Sequence, residues 1–112
     1  MNTLPTHCRI STPKGIYNIP FEDIFFVECQ QKKSLVHTTA GTLTLPIPMY
    51  RLKERLPAPF FLQTHRSFLV NVKNISHIDK QNDPWTIFFF GTEKQAFTSR
   101  SFRHIVLDAV SD

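Results

Sequence analysis

Residues 60–72 read FFLQTHRSFLVNV. Two short apolar runs, Phe60 to Thr64 and Phe68 to Val72, flank the polar triplet His65-Arg66-Ser67. Runs of about five residues rich in Phe, Leu and Val are typical of β-strands. The segment therefore predicts two consecutive strands, with an arginine directly after the first.

Similar strand signals precede this segment. Thr12-Pro13-Lys14-Gly15 and Ala40-Gly41 carry turn residues between apolar runs, so each predicts a hairpin. The run Ile24 to Cys29 is almost continuously apolar, as expected of a strand covered on both faces. The predicted strands in this half are Cys8 to Ser11, Ile16 to Ile19, Ile24 to Cys29, Ser34 to Thr39 and Thr42 to Leu45.

Strand signals also follow the segment, at Ile75 to Asp79, Trp85 to Phe90 and Gln95 to Ser99. Two short helices interrupt the pattern. One lies near residues 48–56, where Met49, Leu52 and Leu56 recur at helical spacing, and the other lies near residues 101–110. Many short strands at close spacing predict an all-β sandwich or barrel-like fold, and no βαβ rhythm supports a Rossmann-type fold.

The composition favours a small basic globular domain. The 112 residues include eleven phenylalanines, and the formal net charge is +4. A basic domain of this size suits a polyanion, either nucleic acid or an acidic membrane surface. Because the chain shows neither a signal peptide nor an apolar run of about 20 residues, we expect a cytoplasmic protein with no membrane span.

The sequence gives little support for catalysis or metal binding. His65 and Ser67 could share a face, but no acidic residue is placed to orient a catalytic histidine. The five histidines lack metal-binding spacing, and each of the three glycines lies in a turn rather than a phosphate-binding loop. We therefore expect no enzyme activity, no metal and no cofactor.

Cys8 and Cys29 are the only cysteines. They form no metal-binding pair, and two reduced thiols are the simplest interpretation in a cytosolic protein. A disulfide between them and a redox-sensing role for Cys29 remain alternatives.

Basic residues gather where strands are predicted to end. They lie in four clusters, which are Lys32-Lys33-Ser34, Arg66, Lys73-Asn74 and Arg100-Ser101-Phe102-Arg103. Lysine and arginine neutralise phosphates, and arginine also pairs with guanine edges. The four clusters together predict a DNA-binding face.

The same residues carry a family resemblance. Residues 61–71, FLQTHRSFLVN, closely resemble the central motif of the LytTR family of DNA-binding domains, F-x-R-x-H-R-S-F-[LI]-V-N. Residues 19–28, IPFEDIFFVE, look like the family's opening motif, and Thr98-Ser99-Arg100 resembles its closing S-R. The resemblance extends from about Cys8 to Val110. Gln63 departs from the pattern, because the family often has a basic residue there.

The resemblance implies a fold and a mode of binding. LytTR domains have about ten strands in three small antiparallel sheets, and their loops enter successive major grooves with a minor-groove contact between them. Carried onto this chain, the DNA-binding candidates are Arg66, Arg100, Ser34, Ser101, Lys32, Lys33 and Arg103, to which the strand-end pattern adds Lys73. The resemblance assigns structural roles to His65, Ser67 and Asn71.

Family architecture also implies partners. Residues 8–112 would form the DNA-binding domain, and residues 1–7 a tail or the remnant of a linker. We expect a phosphorylated receiver domain upstream in the full-length protein, of which this chain would be a piece. The alternative is that the chain is a natural short regulator. Two copies would bind a direct repeat of promoter DNA more tightly than one.

Two other function classes remain open. The many phenylalanines could stack on single-stranded DNA or RNA, although most lie in apolar runs typical of a core. A protein-interaction module with a small β-barrel would bind a peptide and no DNA. Preference for duplex over single strands, and the salt dependence of binding, would discriminate between these classes.

Overall fold

The computed structural model describes residues 4–110. Within them ten strands form three antiparallel sheets, which confirms the predicted all-β class. Residues 1–3 of the predicted tail and residues 111–112 of the predicted domain lie outside the described residues. The strands are β1 His7–Thr12, β2 Gly15–Pro20, β3 Ile24–Gln30, β4 Lys33–Thr38, β5 Gly41–Leu45, β6 Phe61–His65, β7 Phe68–Asn71, β8 Ile75–Asp79, β9 Trp85–Phe89 and β10 Gln95–Thr98.

The strand order puts β3 at the centre of the molecule. The largest sheet has the order β5-β4-β3-β7-β6, β1 and β2 form a hairpin of their own, and the third sheet has the order β10-β9-β8. As predicted, β3 is covered on both faces, and its first four residues are buried. A bulge between Ile24 and Phe26 interrupts its pairing with β4. The bulge breaks the strict alternation of side chains, and Phe25 and Phe26 both pack on the same core.

Two apolar cores lie on opposite sides of the central sheet. One contains Ile24 and Val27 from β3, and it is closed by the β1–β2 hairpin and by the first helix. The other joins Phe25 and Phe26 to the third sheet through Ile87 and Phe89, and the rings of Phe26 and Phe89 stack with centroids 5.1 Å apart. The second core therefore fixes the third sheet, and the loops that leave it, against β7 and β3.

Both predicted helices are present. Helix α1 spans Met49–Lys53 and is shorter than predicted, although Leu56 beyond its end is buried as expected. Helix α2 spans Arg103–Val110 and follows a 3-10 turn at Arg100–Phe102. Within residues 4–110 we find no helix whose length and apolar character would allow it to cross a membrane.

Asn71 fastens β7 to the start of β3. Its side chain is buried, its Nδ2 donates to the carbonyl oxygens of Phe21 and Ile24, and its Oδ1 accepts from the Lys73 amide. Buried backbone groups need such partners. The expectation that this motif residue is structural is therefore confirmed.

Both cysteines are free thiols. Burial raises the pKa of Cys8 to about 11, so this thiol stays protonated and unreactive at neutral pH. Cys29 is partly exposed, and its Sγ lies 3.4 Å from the carbonyl oxygen of Gln31.

His37 is a buried polar residue between two sheets. Its Nε2 lies 3.1 Å from Glu28 Oε1, its Nδ1 lies 3.0 Å from Thr42 Oγ1, and its ring packs on Phe26. Lys94, from the turn before β10, contacts both His37 and Thr42. Burial lowers the pKa of His37, the hydrogen bond to Glu28 opposes this effect, and the charge of Lys94 adds to it.

A pH dependence of stability follows from this environment. Because the folded pKa lies below the unfolded one, the unfolded chain takes up a proton first as the pH falls through about 6.5. We expect the free energy of unfolding, measured with urea, to be lower at pH 5.5 than at pH 7.5. His37→Gln should reduce this difference. An equal pH dependence in both proteins would show that His37 is not responsible.

Candidate nucleic-acid interface

Three loops meet at one edge of the central sheet. The β3–β4 turn contains Gln31 and Lys32, and the β6–β7 turn contains Arg66 and Ser67. These turns lie side by side because β3 pairs with β7, and the Cys29 amide donates to the Ser67 carbonyl at 2.8 Å. The segment after β10 joins them where the Ser99 amide donates to the Thr64 carbonyl at 3.0 Å. We call residues 31–33, 65–67 and 99–103 the loop edge.

The order of the loops is fixed by these contacts. The β6–β7 turn lies in the middle, with the β3–β4 turn on one side and segment 99–103 on the other. Neighbouring strands lie about 4.8 Å apart, so the backbone of the loop edge spans roughly 17 Å from the middle of the β3–β4 turn to segment 99–103. Arg66 and Arg100 therefore lie on the same edge, as the sequence predicted.

The middle turn presents Arg66 on a well-supported backbone. His65 Nδ1 accepts from the Ser67 amide at 3.0 Å, and the His65 ring meets Phe68 edge-on. Thr64 is buried, and its hydroxyl donates to the Phe97 carbonyl at 2.8 Å. These contacts use the neighbours of Arg66 to hold the turn, whereas Arg66 itself is exposed.

The first turn presents two lysines. Gln31 adopts a left-handed conformation, with φ of 57°, that closes the turn between β3 and β4. Lys32 and Lys33 are both exposed. They place two positive charges beside the middle turn.

The structure corrects the prediction for Ser34. This residue is fully buried, and its hydroxyl donates to the Ile47 carbonyl at 2.8 Å. Its side chain points into the core because Ser34 lies two positions before Val36 and so shares its face of β4. Ser34 therefore fastens the chain after β5 to the start of β4 and cannot contact DNA in this structure.

The third loop carries the two arginines predicted there, but an acidic residue binds both. Asp83, in the loop before β9, accepts from Arg100 Nε at 2.8 Å and from Arg103 Nη2 at 3.0 Å. The Arg103 side chain is 30% exposed, and its guanidinium lies 4.6 Å from the centre of the Trp85 ring. Arg100 is 79% exposed, and Ser101 is also exposed.

Lys73 lies apart from the loop edge. It follows β7 at the end opposite the middle turn, where the Asn71 side chain accepts from its amide. The structure therefore brings Arg66, Lys32, Lys33, Arg100, Ser101 and Arg103 together and leaves Lys73 outside this group.

Two residues near the loop edge were not found from the sequence. They are Asp83 and Lys53, which are not among the DNA-binding candidates that the sequence predicted. Lys53 Nζ donates to Gln63 Oε1 at 2.9 Å, so a positive charge lies at the strand position where the sequence lacks a basic residue. Neither contact is local, and hence no spacing rule would have found it.

The described part of the chain contains no group of three or more potential metal ligands. One recess, between β8 and α2, lies away from the loop edge and is lined mainly by apolar residues. Another, of about 500 Å³, lies at the β3–β4 turn of the loop edge and is lined by Gln30, Gln31, Lys33, Leu35 and Thr44. The chemistry that the loop edge offers is therefore the binding of anions by exposed cations on a preformed backbone.

Comparisons with known proteins identify a family and support the fold. A family model described as the LytTr DNA-binding domain matches residues 14–110. A solved LytTr DNA-binding domain of a methyl-accepting/DNA response regulator from Bacillus cereus has a TM-score of 0.78 and covers 96% of this chain and 99% of its own. At 22% identity, this similarity shows the fold.

Curated relatives are longer proteins. Transcriptional regulatory protein YpdB of Escherichia coli K12 is 32% identical over 66 residues, which are 59% of this chain and 25% of YpdB. Transcriptional regulatory protein NatR of Bacillus subtilis is 31% identical over 80 residues, 70% of this chain and 34% of NatR. Sensory transduction protein LytT of Enterococcus faecalis is 29% identical over 70 residues, 62% of this chain and 27% of LytT. The matched regions thus make up a quarter to a third of these relatives.

Proposed function

This chain belongs to the LytTR family of DNA-binding domains, and from that premise we propose that it binds duplex DNA of specific sequence through the loop edge. The observation that carries the proposal is the joining of three cationic loops by backbone hydrogen bonds, Cys29 to Ser67 and Ser99 to Thr64. Such bonds fix the spacing of Lys32, Arg66 and Arg100 before DNA arrives. A preformed site loses little conformational entropy on binding.

The order of the loops supports a proposed groove for each loop. A straight duplex repeats about every 34 Å, so a row of roughly 17 Å covers half a turn. The middle turn then faces a minor groove, and the two outer loops reach the near sides of the flanking major grooves. Deeper entry into both major grooves requires the duplex to bend around the loop edge.

The residues take different roles in this arrangement. Arg66 enters the minor groove, where arginine favours the negative potential of narrow A·T-rich tracts. Arg100, together with Ser101, reads base edges in one major groove. Lys32 and Lys33 bind phosphates beside the other groove, and Arg103 supports Arg100 through Asp83, which contacts both arginines.

Regulation belongs to the longer protein. The relatives are named as transcriptional regulators and a sensory transduction protein, and this chain spans only a part of each. We infer an output domain of a two-component response regulator, with a receiver domain upstream in the full-length protein. Two copies on a direct repeat in a promoter would gain affinity by tethering, as a dimer on DNA.

Arg66→Ala tests the assignment of the middle turn. Binding is measured by fluorescence anisotropy on a duplex selected from a random pool and on unselected duplexes, over a salt series. We expect Arg66→Ala to lose about 1–3 kcal/mol on the selected duplex and to relax preference at the central base pairs.

Lys14→Ala, in the β1–β2 turn, is the matched loss of one positive charge and should change affinity little. A uniform loss over all sequences would make Arg66 a phosphate contact only. Equal binding to single strands, or binding that does not depend on salt, would contradict duplex recognition and favour the other function classes.

A further inference from the structure

We propose that Asp83 determines DNA specificity by positioning Arg100 and by withholding positive charge from DNA of unrelated sequence. This inference rests on the proposed function of the loop edge. Asp83 acts through Arg100 and needs no contact with DNA of its own. The juxtaposition that carries it is a single carboxylate shared between two arginines of segment 99–103.

Asp83 contacts Nε of Arg100 and leaves its terminal nitrogens without a contact to Asp83. Asp83 Oδ2 accepts from Nε, which is the nitrogen nearest the backbone, at 2.8 Å. A guanidinium has five N–H donors in a fixed planar arrangement, and three of the four on its terminal nitrogens point away from an acceptor at Nε. Because the Arg100 side chain is 79% exposed, those donors face solvent on the loop edge. A fixed guanidinium loses less entropy than a free one when it pairs with a guanine edge.

The second oxygen of Asp83 contacts Arg103, whose side chain is less exposed than that of Arg100. Oδ1 accepts from Arg103 Nη2 at 3.0 Å, and the Arg103 guanidinium lies over the Trp85 ring at 4.6 Å. Lys80 lies over the same ring at 5.2 Å. Asp83 therefore has one fixed partner, Arg103, and one exposed partner, Arg100, so its position is set before Arg100 is positioned.

The charge of Asp83 also has a consequence for affinity. The carboxylate offsets one of two positive charges in the segment that would otherwise face phosphates. Binding to unrelated DNA depends almost entirely on such charges, with a slope of log affinity against log salt of about 0.9 for each phosphate neutralised. Asp83 thus weakens binding to duplexes of unrelated sequence, whereas the positioning of Arg100 improves binding to the duplex that Arg100 reads.

The test uses Asp83→Asn, which keeps the size of the side chain but leaves one oxygen for two arginines. We expect affinity for unselected duplex to rise about fivefold at 0.15 M salt, with a salt slope steeper by about 0.9. The ratio of the dissociation constants for unselected and selected duplex should fall by about fivefold. Glu93→Gln, an exposed residue in the turn before β10 with the same charge change, should leave this ratio unchanged.

A second comparison identifies the route through Arg100. In an Arg100→Ala background, Asp83→Asn should no longer change the ratio, because the residue it positions is absent. The Arg100 Nε–H resonance of the DNA-free domain should shift in Asp83→Asn and stay in place in Glu93→Gln.

The outcomes separate the inference from the proposed function. A wild-type domain with no preference for the selected duplex would overturn both. A wild type that prefers the selected duplex, with Asp83→Asn indistinguishable from Glu93→Gln, would overturn the role of Asp83 alone. A drop of the ratio that persists in the Arg100→Ala background would also overturn it.

Discussion

Asn71→Ala is expected to lower the free energy of unfolding by about 3 kcal/mol. The Asn71 side chain is 3% exposed and makes three hydrogen bonds, to the carbonyl oxygens of Phe21 and Ile24 and to the Lys73 amide. Each such bond contributes about 1 kcal/mol, and more where its loss leaves a buried group without a partner. Alanine removes all three and leaves a cavity between β7 and the start of β3.

Asn74 provides a matched control. Its Nδ2 donates to the carbonyl oxygens of Glu22 and Ile24, in the same corner of the fold, but the residue is only partly buried. Water can replace its contacts, so Asn74→Ala should cost about 1 kcal/mol. Urea unfolding followed by the fluorescence of Trp85, the only tryptophan, measures both. A cost for Asn71→Ala no greater than that of Asn74→Ala would contradict the structural role of Asn71.

Local patterns in the sequence were sufficient for the strands. Gly15 and Gly41 predicted the two hairpins because glycine tolerates the positive φ angles that tight turns often need. Gly41 has such an angle, with φ of 118°. The apolar run in β3 predicted a strand covered on both faces, since only a central strand between two cores needs no polar side.

Contacts between distant parts of the sequence were not predictable from patterns. The bond from Ser99 to Thr64 and the pairing of Asp83 with Arg100 depend on how the third sheet packs against β6 and β7. The position of Lys53 beside Gln63 depends on the packing of α1. Sequence spacing carries no signal for such contacts.

Ser34 is a different case, because its burial was within reach of the sequence. In a strand from Ser34 to Thr39, period-two alternation places Ser34 on the same face as Val36. Proximity to Lys32 and Lys33 favoured a loop contact with DNA instead. Alternation within a strand is therefore a better guide than the polarity of neighbours at a strand end.

The second large effect concerns DNA affinity. A triple variant with Lys32, Arg66 and Arg100 changed to alanine removes one cation from each loop of the loop edge. We expect its affinity for the selected duplex to fall at least about a hundredfold at 0.15 M salt, because each lost phosphate contact costs about fivefold and lost base contacts add to this. The slope of log affinity against log salt should become shallower by at least about 0.9, the contribution of the phosphate contact of Lys32.

A control triple variant changes the same charge elsewhere. Arg9 and Lys14 are exposed on the β1–β2 hairpin, and Arg55 lies close enough to Cys8 in β1 for its charge to act on that thiol. The hairpin leads into the start of β3, whereas the loop edge lies at its end. Replacing Arg9, Lys14 and Arg55 by alanine therefore lowers the net charge equally without touching the loop edge.

The most direct measurement compares the wild type and these two triple variants on one selected duplex by fluorescence anisotropy, over a salt series, with the fold of each variant checked by thermal unfolding. We predict a loss of at least about a hundredfold and a shallower salt slope for the loop-edge variant, against a loss of no more than a few-fold for the control triple variant. Equal losses in the two folded variants would show that net charge alone binds the duplex, and would contradict a DNA-binding face at the loop edge.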